Sequence, residues 1–143
     1  MNIPQKSEFV TVEEDLDQQC AWEQFGGRSL DAAYALIKGD PLNRMEDLMH
    51  MGPKAFCFYV QAAIRYLHEP ESRNDQEMVS GFVSVCESWI DGHIESIKGT
   101  CLADLQLAME YLLNRGDSFT HEYREIPSKL RELIDKTLHS SAD

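Results

Sequence analysis

The segment 53–68, PKAFCFYVQAAIRYLH, constrains the fold more than any other part of the chain. Drawn as a helix, it is apolar on nearly every side, and its polar residues Lys54, Gln61, Arg65 and His68 form one narrow stripe. A helix with so broad an apolar surface must be surrounded by other helices. The sequence therefore predicts a central helix at 53–68 with further helices packed around it.

Helix start and stop signals recur along the rest of the chain, whereas strand alternation is nearly absent. Asp40-Pro41 joins an N-cap residue to a proline at the first helical position, which is a strong start signal. Asn74 and Glu77 have the spacing of a capping box and predict the start of the longest helix. The predicted helices cover residues 12–24, 30–38, 41–50, 53–68, 74–98, 101–115 and 127–139.

These elements indicate an all-α fold, a single-domain helical bundle of about six to seven helices that spans residues 1–143. Residues 1–10 are predicted to form a loose N-terminal arm, and residues 140–143 a frayed tail. In the first predicted helix, Val12, Leu16 and Cys20 recur at helical spacing with Ala21 beside them, so we expect these residues on its apolar face.

Acidic residues outnumber basic ones by 25 to 13, which gives a formal net charge of −12. So large an imbalance repels nucleic acid phosphate and anionic lipid, and it favours fast electrostatic encounter with basic proteins. We therefore expect a basic protein partner, no nucleic acid and no membrane. A high charge that only keeps the protein soluble is the alternative explanation.

The four cysteines, Cys20, Cys57, Cys86 and Cys101, form no C-x-x-C pair and lie among apolar residues of predicted helices. This pattern predicts reduced, buried thiols in a cytosolic protein, since disulfide frameworks belong mainly to smaller secreted chains. The first residues lack the apolar core of a signal peptide, and no apolar run approaches the ~20 residues of a membrane span. We expect a cytoplasmic protein.

The segment 45–59, MEDLMHMGPKAFCFY, concentrates residue types that bind metals. Asp47 and His50 form a D-x-x-H pair, but the second acid-x-x-His helix of a di-iron bundle is missing. The three methionines of the segment, with His50 and Cys57, have the chemistry to hold Cu(I). Methionines one turn apart on an apolar stripe are better explained as core residues. The sequence predicts no catalytic residue, no metal and no cofactor, and it leaves open whether Asp47 and His50 bind anything.

Two groups of acidic residues are the predicted binding surface. The acidic ridge, Glu87, Asp91 and Glu95, recurs at i, i+4 and i+8 on the longest predicted helix, with only Lys98 near its end to relieve the repulsion. The second group, called the acidic turn, consists of Glu13, Glu14, Asp15 and Asp17. Favourable interaction with the helix dipole explains part of the acidic turn but not the acidic ridge, for which a solvated face is the alternative explanation.

Parts of the first half resemble a pattern in small bacterial proteins associated with toxin–immunity loci. In that pattern a W-x-x-F-G-G start leads to an E-D-L…M-G-P-x-A-F-x-x-Y centre, and the match covers about a third of this chain. The resemblance implies scaffold roles for the matched residues and transfers no binding residue. The matched residues are Trp22, Phe25, Gly26, Gly27, Glu46, Asp47, Leu48, Met51, Gly52, Pro53, Ala55, Phe56 and Tyr59.

Immunity proteins of this type are small, acidic and cytosolic, and they block a cognate toxin by direct binding. The resemblance and the charge together favour a non-enzymatic immunity protein whose partner is a basic toxin or effector. We expect the acidic ridge to carry binding first and the acidic turn second. The alternatives are a secretion chaperone or adaptor for an effector, and a small helical metal-dependent enzyme. The partner's identity and the oligomeric state, a homo-oligomer included, stay open.

Overall fold

The computed structural model describes residues 2–141, which contain eight α-helices and no strand. The all-α prediction is confirmed, although the described residues contain more helices than the predicted six to seven. Short 3-10 turns lie at Pro70–Ser72 and His121–Tyr123. The α-helices are α1 (Lys6–Phe9), α2 (Leu16–Phe25), α3 (Leu30–Gly39), α4 (Pro41–His50), α5 (Pro53–Leu67), α6 (Gln76–Ile97), α7 (Leu102–Asn114) and α8 (Ile126–Ser141).

The chain divides into two compact units, Met1–His68 and Glu69–Asp143. The first unit contains α1 to α5, and the second contains α6 to α8. The single-domain assignment stays a prediction.

Helix α5 is the core element of the first unit, as expected for a helix that is apolar on nearly every side. It packs against α1, α3 and α4, and 10 of its 15 residues are buried. Tyr59 contacts the rings of Phe9 and Phe25 at centroid distances of 5.5 and 5.2 Å, and its hydroxyl donates to the carbonyl of Arg28 at 2.8 Å. This ring cluster joins the elements that precede α3 to the central helix.

The predicted loose arm at 1–10 is wrong from residue 6 onward, because Lys6–Phe9 forms α1 and Phe9 is fully buried. Phe9 packs on Tyr59, and its carbonyl accepts from the N–H of Gly52 at 3.0 Å. A Cβ atom on Gly52 would overlap the carbonyl oxygen of Glu8, so this close approach requires glycine. Residue 1 of the predicted arm lies outside the described residues.

Helix α2 begins at Leu16 because the carboxylate of Asp15 caps it, accepting from the N–H of Gln18 at 3.0 Å. The predicted apolar face is confirmed for Ala21 but wrong for the other three residues: Val12 and Leu16 are 58% and 73% exposed, and Cys20 is exposed. The buried residues of α2 are Ala21 and Phe25, one turn apart. Phe25 packs in the ring cluster around Tyr59, so its face of α2 is buried and Leu16 and Cys20 are left exposed to solvent.

In the second unit, α6, α7 and α8 pack against one another. Helix α6 begins at Gln76, and its N-cap is Asp75, which accepts from the N–H of Met78 at 3.1 Å. The predicted capping box at Asn74 is therefore wrong. Asn74 has a positive φ of 64°, which asparagine tolerates better than most residues, and its side-chain oxygen accepts from the N–H of Ser118 at 3.0 Å.

A buried ion pair between Arg115 and Asp117 stabilises the turn that contains Asn74, just before α6. Arg115 donates to Asp117 through Nε at 2.7 Å and Nη2 at 2.6 Å, and to the hydroxyl of Ser72 through Nη1 at 2.8 Å. Burial acts to raise the pKa of Asp117, but hydrogen bonds from Arg115 and the N–H of Asn74 outweigh it and lower that pKa. The pair thus joins the end of α7 to the turn before α6.

Helix α8 continues to Ser141, two residues beyond the predicted end at 139. Residues 140 and 141 are therefore helical where the sequence predicted fraying. Residues 142 and 143 of the predicted tail lie outside the described residues.

Candidate protein-interaction surfaces

The acidic ridge lies beside lysines of α8. The Nζ atom of Lys129 lies 2.6 Å from Oε2 of Glu87, and that of Lys136 lies 2.7 Å from Oδ1 of Asp91. Glu132 contacts both lysines, at 3.7 and 3.3 Å. The expectation that only Lys98 relieves the ridge is wrong, because the sequence alone does not place α8 against α6.

These contacts compensate the charge of two ridge residues. The hydrogen bond to Glu87 raises the pKa of Lys129, and the hydrogen bond to Asp91 raises the pKa of Lys136, so both lysines hold their protons firmly. We call Glu87, Asp91, Lys129, Glu132 and Lys136 the α6–α8 ion-pair network. Its immediate role is to join two helices of the second unit.

A kink also divides the ridge. His93 has φ −146° and ψ 32°, outside the helical region, and it lies between Asp91 and Glu95. The i, i+4, i+8 spacing therefore does not place the three carboxylates on one straight helical face. Glu95 is exposed and has no ion-pair partner within residues 2–141.

A cavity of about 190 Å³ lies beside the ion-pair network in the second unit. Glu87 and Lys129 line it together with Glu122, Glu125 and Tyr123. Because the Glu87 carboxylate is bonded to Lys129, this cavity presents a partly compensated set of charges.

The acidic turn has more carboxylates without an ion-pair partner than the acidic ridge has, within the described residues. Glu13, Glu14 and Asp17 are exposed, and the carboxylates of Glu13 and Glu14 have no ion-pair partner in the part of the chain that the structure describes. Asp17 lies 3.9 Å from Nδ1 of His50, and Asp15 is occupied as the N-cap of α2. Of the two predicted acidic groups, the turn carries the more open negative surface.

Hydrogen bonds from two glutamines order the acidic turn. Oε1 of Gln18 accepts from the N–H groups of Thr11 and Val12 at 3.0 and 2.9 Å, and its Nε2 donates to the hydroxyl of Thr11 at 3.0 Å. Nε2 of Gln19 donates to the carbonyl of Glu13 at 2.6 Å. The backbone that carries these acids is thereby fixed to the first turns of α2.

Asp47 and His50 do not form a joint site. Oδ2 of Asp47 lies 3.0 Å from Nε of Arg44, but the contact lacks hydrogen-bond geometry, and neither buried atom has a hydrogen-bond partner within residues 2–141. Burial raises the pKa of Asp47 to about 6, against the opposing charge of Arg44. His50 contacts Asp17 instead, so the two side chains face different partners.

The residues considered for soft-metal binding are mostly in the core. Met45 and Met51 are almost fully buried, and Cys57 is disulfide-bonded. Within residues 2–141 no group of three or more histidine, cysteine or acidic side chains is arranged to hold a metal ion.

The prediction of four reduced, buried thiols is wrong. Cys57 and Cys101 are each disulfide-bonded, and the free cysteines are the exposed Cys20 and the buried Cys86. Burial raises the pKa of the Cys86 thiol, which makes it a poor nucleophile at neutral pH. Helical spacing shows where a cysteine lies on its own helix and gives no information on contacts made elsewhere in the chain.

No family model, curated protein or solved structure matches this chain. The resemblance to immunity-type proteins therefore rests on its motif residues, all of which lie in the first unit. Several of them build the core: Phe25 and Tyr59 belong to the ring cluster, and Trp22 packs edge-on against Phe9 at 5.2 Å. None of the described helices has the length and apolar character needed to cross a membrane.

Proposed function

We propose that this protein is a non-enzymatic, cytoplasmic immunity protein that neutralises a cognate bacterial toxin by direct binding. The partner is a basic protein, and binding masks its active surface sterically and electrostatically. The observation that best supports this proposal is the acidic turn, in which the exposed carboxylates of Glu13 and Glu14 are unpaired and carried on an ordered backbone. The net charge of −12 adds long-range attraction for a basic partner.

The geometry changes the order of the two surfaces within this proposal. Glu87 and Asp91 hold lysines of α8, so a partner's cations must compete with Lys129 and Lys136 for them. Glu13 and Glu14 face no such competition. We therefore assign binding first to the acidic turn, with Glu95 as the open member of the ridge.

Co-expression with the product of the adjacent gene tests the proposal. We expect the protein to rescue cells from that product's toxicity and to form a 1:1 complex with it after purification. A variant with Glu13, Glu14 and Asp17 changed to the corresponding amides should bind more weakly. If neither rescue nor a complex is found, the immunity function is rejected for that pair.

The exposed apolar side chains near the acidic turn favour one second candidate, a secretion chaperone or adaptor that holds an effector through apolar contacts. Val12 and Leu16 are the residues concerned. A chaperone of this kind predicts a stable homodimer and an effector that stays soluble only in its presence. Size-exclusion chromatography with light scattering, combined with an effector solubility assay, separates this candidate from a monomeric immunity protein.

A further inference from the structure

An apolar stripe is exposed at the start of α2. Leu16 and Cys20 lie one helical turn apart on α2, and Val12 lies four residues before Leu16 in the turn that leads into the helix. Val12 and Leu16 are 58% and 73% exposed, which leaves most of their apolar surface in water. Single exposed apolar residues are ordinary, whereas an apolar patch rimmed by polar residues is typical of a surface that another molecule covers.

The stripe is held in place before any partner binds. Gln18 ties the N–H of Val12 to α2 at 2.9 Å, and the N–H of Asp15 donates to the carbonyl of Val12 at 3.0 Å. A binding surface that is already ordered loses little conformational entropy when it is covered.

Acidic residues lie beside this stripe along the chain. Glu13, Glu14 and Asp17 are interleaved with Val12 and Leu16 in the sequence, and all three are exposed. Of these three acids, Glu13 also lines a groove of about 440 Å³, together with Lys6, Ser7, Val10 and Gln19. The groove thus shares Glu13 with the acidic turn and gives an apolar side chain a place beside Val10.

We propose that the apolar stripe and the acidic turn form one docking face for a basic amphipathic helix of the partner protein. The occupant carries apolar side chains one turn apart, which cover Val12, Leu16 and Cys20, and lysine or arginine on both flanks, which pair with Glu13, Glu14 and Asp17. Helices with this pattern dock through residues at i, i+3 or i+4, and i+7. The inference rests on the proposed function and specifies the chemistry of its partner.

The first experiment uses a peptide and does not depend on the toxin. The probe, called the basic peptide, is a fluorescently labelled peptide of about 15 residues with leucines at i, i+4 and i+7 and lysines on both flanks. As a helix it is about 22 Å long. A second peptide has glutamate in place of every lysine. We expect the basic peptide to bind by fluorescence anisotropy, with an affinity that falls as salt is raised, and the acidic peptide not to bind.

Variants of the stripe and of the turn locate the contact. Leu16→Ser should weaken binding of the basic peptide about tenfold, the effect of losing one buried leucine contact. Leu107→Ser is the matched control, because Leu107 is 64% exposed on α7 in the second unit, and it should leave binding unchanged. Glu13→Gln/Glu14→Gln should weaken binding and reduce its salt dependence, whereas Glu77→Gln/Glu125→Gln, with the same change of charge, should not.

Cys20 reports directly on the stripe because its thiol is exposed, whereas Cys86 is buried. Alkylation of Cys20 by N-ethylmaleimide should slow when the basic peptide is bound. The same slowing is expected in a complex with the adjacent gene product, the partner used to test the proposed function.

The two proposals fail in different ways. Failure of the basic peptide to bind the wild type, or equal binding by Leu16→Ser and wild type, overturns the docking face whatever the toxin does. Peptide binding without rescue or complex formation supports the docking face and rejects the immunity function for that pair. Rescue by a Leu16→Ser/Glu13→Gln/Glu14→Gln variant with unchanged affinity for the toxin keeps the immunity function and overturns the docking face.

Discussion

The charge of Asp47 is costly to the fold, since its side chain is only 14% exposed and its contact with Arg44 lacks hydrogen-bond geometry. Its pKa is about 6 in the folded chain against an ordinary 3.8. The folded state therefore holds this proton more tightly than the unfolded state does. The resulting stabilisation is complete below pH 3.8 and is lost as the pH rises through about 6.

Asp47→Asn should remove this pH dependence, because the amide resembles the protonated acid. At pH 7.5 we expect the variant to exceed the wild type in free energy of unfolding by about 2–3 kcal/mol, and near pH 3.5 by nearly nothing. Urea denaturation at both pH values measures the difference, with Glu77→Gln, a change at an exposed acid of the second unit, as the control. A variant less stable than the wild type at pH 7.5 would show that the pair with Arg44 outweighs the cost of burial.

The cysteines give a second prediction at this scale. With a thiol reagent such as DTNB, the native chain should show one fast thiol, Cys20, because Cys86 is buried. Unfolding without reductant should raise the count to two, and reduction to four, because Cys57 and Cys101 are disulfide-bonded. Cys20→Ser should remove only the fast phase. Four thiols in the unfolded, unreduced chain would contradict the disulfide assignment.

At the scale of elements, the predictions succeeded where a local signal sets the boundary. Helix α4 begins at the predicted Pro41 and α5 at the predicted Pro53, and α3 begins at the predicted Leu30, where the hydroxyl of Ser29 caps it. They failed where a distant residue decides. Phe9 orders α1 by packing on Tyr59, which a polar local sequence does not indicate.

Gly52→Ala tests the contact between α1 and the start of α5. A methyl group there would overlap the carbonyl of Glu8, so α1 must move or the chain must strain. We expect a loss of about 1–3 kcal/mol in free energy of unfolding, the usual cost of overpacking. Gly39→Ala is the matched control, because open space surrounds that position, and it should change stability little. Equal urea midpoints for both variants would show that α1 yields without cost.

The α6–α8 ion-pair network predicts a salt-dependent stability. Glu87→Gln/Asp91→Asn should lower the thermal midpoint at low salt, and the loss should shrink as salt is added. Because the pKa values of Lys129 and Lys136 are raised, the contribution of these pairs is complete below pH 10.5 and is lost as the pH rises through the raised values. Glu77→Gln is the control, and a loss that salt does not affect would contradict the assignment.

At the scale of the whole molecule, the basic partner stays a prediction that rests on composition, and composition does not show which carboxylates remain open. The net charge of −12 is a property of composition alone. Which carboxylates remain open depends on where α8 lies against α6 and on which face α2 turns inward, and both are decided by packing. Lys129 therefore removes Glu87 from the open surface, and burial of Phe25 leaves Leu16 outside.

Electrostatic attraction acts over the whole molecule, so the rate of association with a basic partner should depend on which charges are open. Neutralising Glu13, Glu14 and Asp17 as the amides should slow association at least threefold at low salt, about what charge steering supplies from a few residues. Glu87→Gln/Asp91→Asn removes the two negative charges that pair with α8 lysines, so the local electrostatic field there changes sign. The rate of association with a basic partner should therefore fall as well.

Double mutant analysis by stopped flow separates these two effects. If the acidic turn is the docking face, its variant should also dissociate faster, because the pairs it loses are formed in the complex. The Glu87→Gln/Asp91→Asn variant should keep the wild-type dissociation rate, since it changes only the long-range field. A faster dissociation of that variant alone would place the interface on α6 and α8, and the acidic turn would then serve only to raise the encounter rate.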